Sequence, residues 1–166
     1  MPHRWKPNVT VAAVIERDRR FLLVEEQTSQ GLCLNNPAGH LDPDESLVQA
    51  CSRETLEETA HAFTPTALVG VYLSGAGSVR TPASAPRTRL TYLRFAFCGE
   101  LGAFDSARVL DQGIVRTVWM DIDEIRASRK RHRSPVLLRC IEHYLAGARY
   151  PLTVLTSDFG DAGRGA

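Results

Sequence analysis

Three glutamates, Glu54, Glu57 and Glu58, stand at i, i+3 and i+4 in the run RETLEE. On a helix, carboxylates at those spacings project from neighbouring positions on one face. As structure alone this is unfavourable, because the like charges repel and anions near a helix C-terminal end oppose the macrodipole, each by about a few tenths of a kcal/mol. A hard divalent cation reverses the sign: clustered carboxylate oxygens are what Mg²⁺ prefers, and Mg²⁺ in turn carries substrate phosphates. The bland alternative is a solvated acidic face, the commoner fate of a charge run.

The elements that must position these acids lie just before them. The loop GHLDPDE, residues 39–45, has Gly and Pro as backbone punctuation, and Ser46 with Gln49 three residues on has the spacing of a capping box. A helix is therefore expected to start near Ser46. Leu47, Cys51 and Thr55, with Val48 and Ala50 beside them, form an apolar stripe to lay against a core, and the acids occupy the other side.

Gly39, five residues, Glu45, seven residues, Arg53-Glu54, then Glu57-Glu58 resembles the box of the Nudix family, G-x5-E-x7-R-E-U-x-E-E-x-G-U, where U is bulky and apolar. Every charged position and the leading Gly are present. Thr55, Ala60 and His61 depart from the pattern without removing a ligand, and Ala60 gives up the easy left-handed helix exit that Gly provides. Further segments, KPNVTVAAVI, FLLVEE, NPAGHL, YLRFAF, RSPVL and RYPL, are similar to the NudJ-type phosphatases within that family and span almost the whole chain. The resemblance implies an α/β fold, an α/β/α sandwich around a mixed β-sheet. It also implies Mg²⁺-dependent hydrolysis, with Mn²⁺ as a substitute, of pyrophosphate bonds in nucleoside di- and triphosphates and in hydroxymethylpyrimidine pyrophosphate, a thiamine precursor. Glu54, Glu57, Glu58 and the Gly39 carbonyl would hold metal, and water would attack phosphorus with no covalent enzyme intermediate. Arg53 can orient the Glu57 carboxylate one turn on, and Glu45 ties down the loop. The general base stays open among Glu57, Glu58 and Glu100.

The chain has 166 residues, enough for one layered domain, taken as 1–156 with a tail at 157–166. Its net charge of +1 excludes a global pull towards nucleic acid or membrane. Cys33, Cys51, Cys98 and Cys140 lack paired or metal-binding spacing and read as reduced thiols. With no signal-peptide-like stretch and no long apolar run, the expectation is a cytoplasmic protein, taken as monomer or homodimer, and the resemblance implies a small nucleotide or pyrimidine diphosphate as its partner.

In chain order, 9–15 and 21–24 read as a hairpin, with Trp5 before it covering the core rather than stacking on a base. After the acidic helix, 67–73 and 88–98 are strands, and 74–87 is a long Gly, Ser and Pro-rich loop. Arg80, Arg87 and Arg89 are the phosphate-contact candidates there, set against solvated loop arginines. Glu100, in a loop after the second strand, could reach the metal from another direction, with Asp105 and Asp111 as competitors. A strand at 117–120, with Trp119 in the core, leads into a short helix at 121–128. The basic run 126–133 reads as a solvated connection rather than an RNA or DNA patch, since no aromatics interleave it. Ser134-Pro135 fits an N-cap and first helical residue, opening a helix to Leu145 that buries Val136, Leu137, Cys140, Ile141, Tyr144 and Leu145. A catalytically silent nucleotide sensor or protein-binding module, which would usually lose box acids, and an RNA-processing enzyme, which needs more basic surface, are the alternatives.

Overall fold

β-Branched and apolar runs build two sheets. The computed structural model describes residues 5–29, 31–75 and 90–159. In chain order the strands are β1 (Asn8–Val14), β2 (Glu16–Arg17), β3 (Arg20–Thr28), β4 (Gly31–Asn35) and β5 (Ala38–His40); helix α1 (Leu47–Thr59) follows. Then come β6 (His61–Gly75), β7 (Thr91–Phe104), β8 (Ile114–Asp121), α2 (Ile122–Ala127), α3 (Val136–Leu145) and β9 (Tyr150–Pro151). The first sheet has the order β5-β1-β7-β6-β9 and is mixed, β1 and β7 being parallel and the other pairs antiparallel. In the second, β3 pairs with β2, β4 and β8. Two apolar clusters fill the layers: Val11, Ala13, Phe97 and Leu68 pack with Ala50 and Cys51 of α1, and Ala12, Ala96 and Leu23 pack with Leu137 and Ile141 of α3. This is the expected α/β sandwich around a mixed sheet.

Several local expectations are corrected. Residues 9–15 do not form a hairpin with 21–24: β1 belongs to the first sheet, and the chain changes sheets at Ile15, whose carbonyl still accepts from Leu22 N at 3.0 Å. The tight hairpin is β2–β3, turned through Asp18 and Arg19, both left-handed at φ 53 and 62. β6 starts at His61, six residues before the expected strand, and runs through Pro65, where the pairing with β7 shifts register. β7 extends to Phe104, so the expected loop around Glu100 is strand. Gly99 there serves a close backbone approach, because a Cβ on it would lie 2.0 Å from the Thr64 carbonyl oxygen. In α3 the Ser134 side chain makes no cap, Pro135 is itself the N-cap, and Leu145 is exposed instead of buried. Trp5 is also exposed. The basic run is partly tied inward: Arg126 pairs with Asp123 and Glu142, Arg131 with Glu25, and Arg133 with Glu26. Arg80, Arg87 and Arg89, with most of the 74–87 loop, lie outside the described residues.

Candidate active site

Helix α1 begins as its residues dictate. Ser46 Oγ accepts from Gln49 N at 3.2 Å, and Gln49 Oε1 in turn accepts from Ser46 N at 2.8 Å. Thr55, a polar residue on the buried side, is satisfied by donating to the Cys51 carbonyl at 2.7 Å. The helix ends on Ala60, left-handed at φ 57 although it is not Gly. Two of its last carbonyls are capped from the segment after β7: Asp105 N donates to Ala60 O at 2.8 Å and Asp111 N to Glu57 O at 3.0 Å.

Arg53 is the hub of the acidic face. Its Nε and Nη2 grip both oxygens of Glu45 at 3.0 and 2.6 Å, Nη2 also reaches the His40 carbonyl at 3.0 Å, and Nη1 donates to Glu54 Oε1 at 2.8 Å and Glu57 Oε2 at 3.1 Å. One guanidinium thus ties the helix to the loop. The Arg53 bonds hold the Glu45 carboxyl below its usual range in spite of burial, with Asp42 N–H assisting, and Glu45 in turn pushes Arg53 further up. Arg53 thus joins Glu45 of the loop to Glu54 and Glu57 of the helix.

The remaining acids are not fully compensated. Burial raises Glu54 above the carboxylate range, with the Arg53 bond opposing and the charges of Glu57 and Asp111 adding to the rise. Burial pushes Glu58 to about 8, against the pull of the Ala38 N–H that it accepts at 2.8 Å, and Glu54, Glu26 and Asp111 push the same way. Contrary to an acid-outward helix face, Glu58 is buried. Among the described residues its Oε1, Glu54 Oε2 and Glu57 Oε1 make no hydrogen bond, so each carboxylate keeps one oxygen without a described partner. Gly39 lies against Glu54: a Cβ there would sit 2.0 Å from Glu54 Oε2.

Among the described residues, no three His, Cys, Asp or Glu side chains already converge on a metal position. The donor chemistry nevertheless fits a hard cation. It offers three free carboxylate oxygens, a backbone cleared by glycine at 39, and an excess of acid over the single guanidinium that braces it.

Of the other expected residues, Glu100 is exposed on β7 opposite Thr64. It stands four positions along the strand from Ala96, the residue level with Ala38 through Ala12, a run of about 13 Å. Asp111 does approach the box acids, whereas Asp105 acts through its backbone. Three residues not singled out in the sequence join the site. Arg94 on β7 is held below its usual range by burial, with Cys140, Glu26 and Glu58 opposing, and its Nη1 meets Asn35 Oδ1 at 3.5 Å. Glu26 is raised by burial, with Arg133 and Arg94 pulling it back. The one sequence signal for Arg94 and Glu26 is charge in otherwise apolar strands, and the neutral Asn35 gives none.

A NUDIX domain model matches residues 5–140. The phosphatase NudJ of Escherichia coli K12 is 35% identical over 151 residues, covering 91% of this chain and 92% of the relative. A solved NUDIX hydrolase from Nitrosomonas europaea is 54% identical, with a TM-score of 0.82 over 94% of this chain and 100% of that one. A MutT NUDIX hydrolase from Burkholderia pseudomallei shares the fold at a TM-score of 0.61 and 21% identity, over 84% of this chain and 98% of that one. With the braced acids of the box in place on this fold, the chain belongs to the Nudix family as a pyrophosphohydrolase.

Proposed function

We propose that the enzyme requires Mg²⁺, with Mn²⁺ as a substitute, and that it hydrolyses nucleoside di- and triphosphates and pyrimidine diphosphates of the hydroxymethylpyrimidine pyrophosphate kind in the cytoplasm. The observation that carries this reading is the set of oxygens on Glu54, Glu57 and Glu58 left without a hydrogen bond among the described residues, with Glu54 packed against the backbone cleared at Gly39. Those carboxylates and the Gly39 carbonyl are the ligands. When bound, the metal neutralises substrate phosphates and acidifies water. Arg53 fixes Glu54 and Glu57 in place before substrate arrives, so positioning is already done in the free enzyme. Glu57, its side chain 33% exposed against 12% for Glu54, is the carboxylate best placed to take the proton from the attacking water. Glu58 is less suited, being buried and bonded to Ala38 N, and Glu100 stands away along β7. Arg80, Arg87 and Arg89 are the proposed phosphate contacts beyond the box. The similarity to phosphatase NudJ supports a phosphate-releasing hydrolase.

Phosphate release from a panel of nucleotides and hydroxymethylpyrimidine pyrophosphate, with Mg²⁺ and after chelation, tests this. Glu57→Gln should lower kcat at least about 100-fold with the circular dichroism unchanged. Near-normal turnover in that variant would overturn the assignment of the site, and turnover unaffected by chelation would overturn the metal requirement.

A further inference from the structure

A groove of about 800 Å³ runs along the outer edge of β6, with none of Glu54, Glu57, Glu58 or Arg94 in its lining. One wall is strand, residues 69–75; the other is the flank of α3 carrying Val136, Arg139 and His143, with Tyr150 at one end. Strand β9 pairs with β6 only at Ala67 and Leu68. Beyond Leu68 the outer backbone groups of β6 have no strand beside them among the described residues, an open edge of about 20 Å from 70 to 75. Open edges in native proteins are usually shortened, charged or covered. This one presents Val71 and Leu73, exposed at 50% and 67%.

The opposite wall is cationic. Arg139 is exposed, its side chain has no ion pair or hydrogen bond among the described residues, and no described Asp or Glu lines the groove. His143 is held in place because its Nδ1 shares a hydrogen bond of 3.0 Å with the hydroxyl of buried Tyr72, whose ring folds back over Gly70, where a Cβ would meet the hydroxyl at 2.8 Å. Tyr72 faces α3, so Val71 and Leu73 face the other way.

We infer that this groove takes an extended acidic peptide segment of a partner protein, which adds to β6 as a further strand. Main-chain bonds to the open edge supply the register. Because side chains alternate across a strand, such a segment places acidic residues towards Arg139 and His143 and apolar ones over Val71 and Leu73. A second copy of this chain fits less well: pairing two β6 edges about a twofold axis turns the two α3 flanks, and so the two Arg139 guanidinium groups, towards each other.

The test is a titration of ¹⁵N-labelled full chain with acetyl-(Glu-Val)₃-amide, followed by amide shifts and hydrogen exchange. Shifts and slowed exchange confined to 70–75 and the α3 flank are expected. Binding should weaken about tenfold or more in Arg139→Glu and with a peptide N-methylated at alternate residues, while pyrophosphatase turnover stays unchanged. Three outcomes overturn the inference: equal binding of acetyl-(Lys-Val)₃-amide, no response of these amides at millimolar peptide, or protection of the same amides that grows with protein concentration in the absence of peptide.

Discussion

Gly39 shows how one residue can matter for chemistry more than for stability. Its missing Cβ leaves room for Glu54, whose carboxylate would otherwise lie at 2.0 Å. That carboxylate is the far end of a flexible side chain, so Gly39→Ala should cost little stability while displacing one oxygen donor. The expected result is a melting temperature within about 2–4 °C of wild type, a change of about 1 kcal/mol, with Mg²⁺ affinity by calorimetry down about tenfold or more. Unchanged affinity would remove Glu54 from the ligand set. Ala60 makes the opposite case. Its left-handed conformation at φ 57 costs about 1 kcal/mol relative to Gly, but the residue is 1% exposed, and deleting its methyl forfeits about 0.8 kcal/mol of burial. The two effects nearly cancel, so Ala60→Gly should leave the urea midpoint almost unmoved; a gain above about 1 kcal/mol would show that strain dominates. At this scale the box is legible in the sequence, because acids at fixed spacing on one helix form a local pattern. Arg94 and Glu26 were not, since a charge inside a strand shows its partner only once the sheets are assembled.

Among the elements, α1 could be read in advance because its cap and stripe are local. The long pairing of β6 with β7 could not, because Pro65 and Gly99 look like chain breaks and are in fact accommodations at a bulge. The change of sheet at Ile15 was likewise hidden: two β-branched runs with a charged turn have the same signature whether or not they pair with each other. Glu25 gives a test of how the second sheet is fastened to the turn at 129–131. It is 3% exposed on β3, accepts from Arg116 of β8 at 2.6 Å, and is also bonded by Arg131. The Arg116 bond, against the opposing effect of burial and with help from Arg131, holds its carboxyl below the ordinary range. The native state therefore binds fewer protons than the unfolded one. The stabilisation is full above the ordinary carboxylate range and is lost as pH falls through the lowered value. Since Arg116 is 66% and Arg131 45% exposed, the contribution is discounted to about 1–2 kcal/mol. Glu25→Gln should be less stable than wild type by that amount at pH 7 in urea titrations, and the gap should narrow towards pH 3. A gap independent of pH would mean that the loss is one of packing rather than charge.

For the whole molecule, the acids of α1 are also the points where the layers meet. Glu58 receives the Ala38 amide from β5, Arg53 reaches the His40 carbonyl, and the Glu57 carbonyl receives the Asp111 amide from the segment between β7 and β8. A ligand that binds the free oxygens of Glu54, Glu57 and Glu58 must therefore steady contacts on both sides of the helix. A ligand specific to the native state stabilises it by about 2.7 kcal/mol at 100 times its Kd, which for a chain of this size is a rise in melting temperature of about 5–10 °C. Saturating Mg²⁺ should produce that rise in wild type, and Glu57→Gln should lose most of it. The location of the effect is the sharper criterion. Hydrogen exchange at the Ala38 and Asp111 amides should slow with Mg²⁺, because local opening there would have to break a metal-braced carboxylate or the helix end that carries it. A thermal shift accompanied by protection elsewhere, with these two amides unchanged, would place the cation away from the box helix and leave its uncompensated acids without the partner proposed for them.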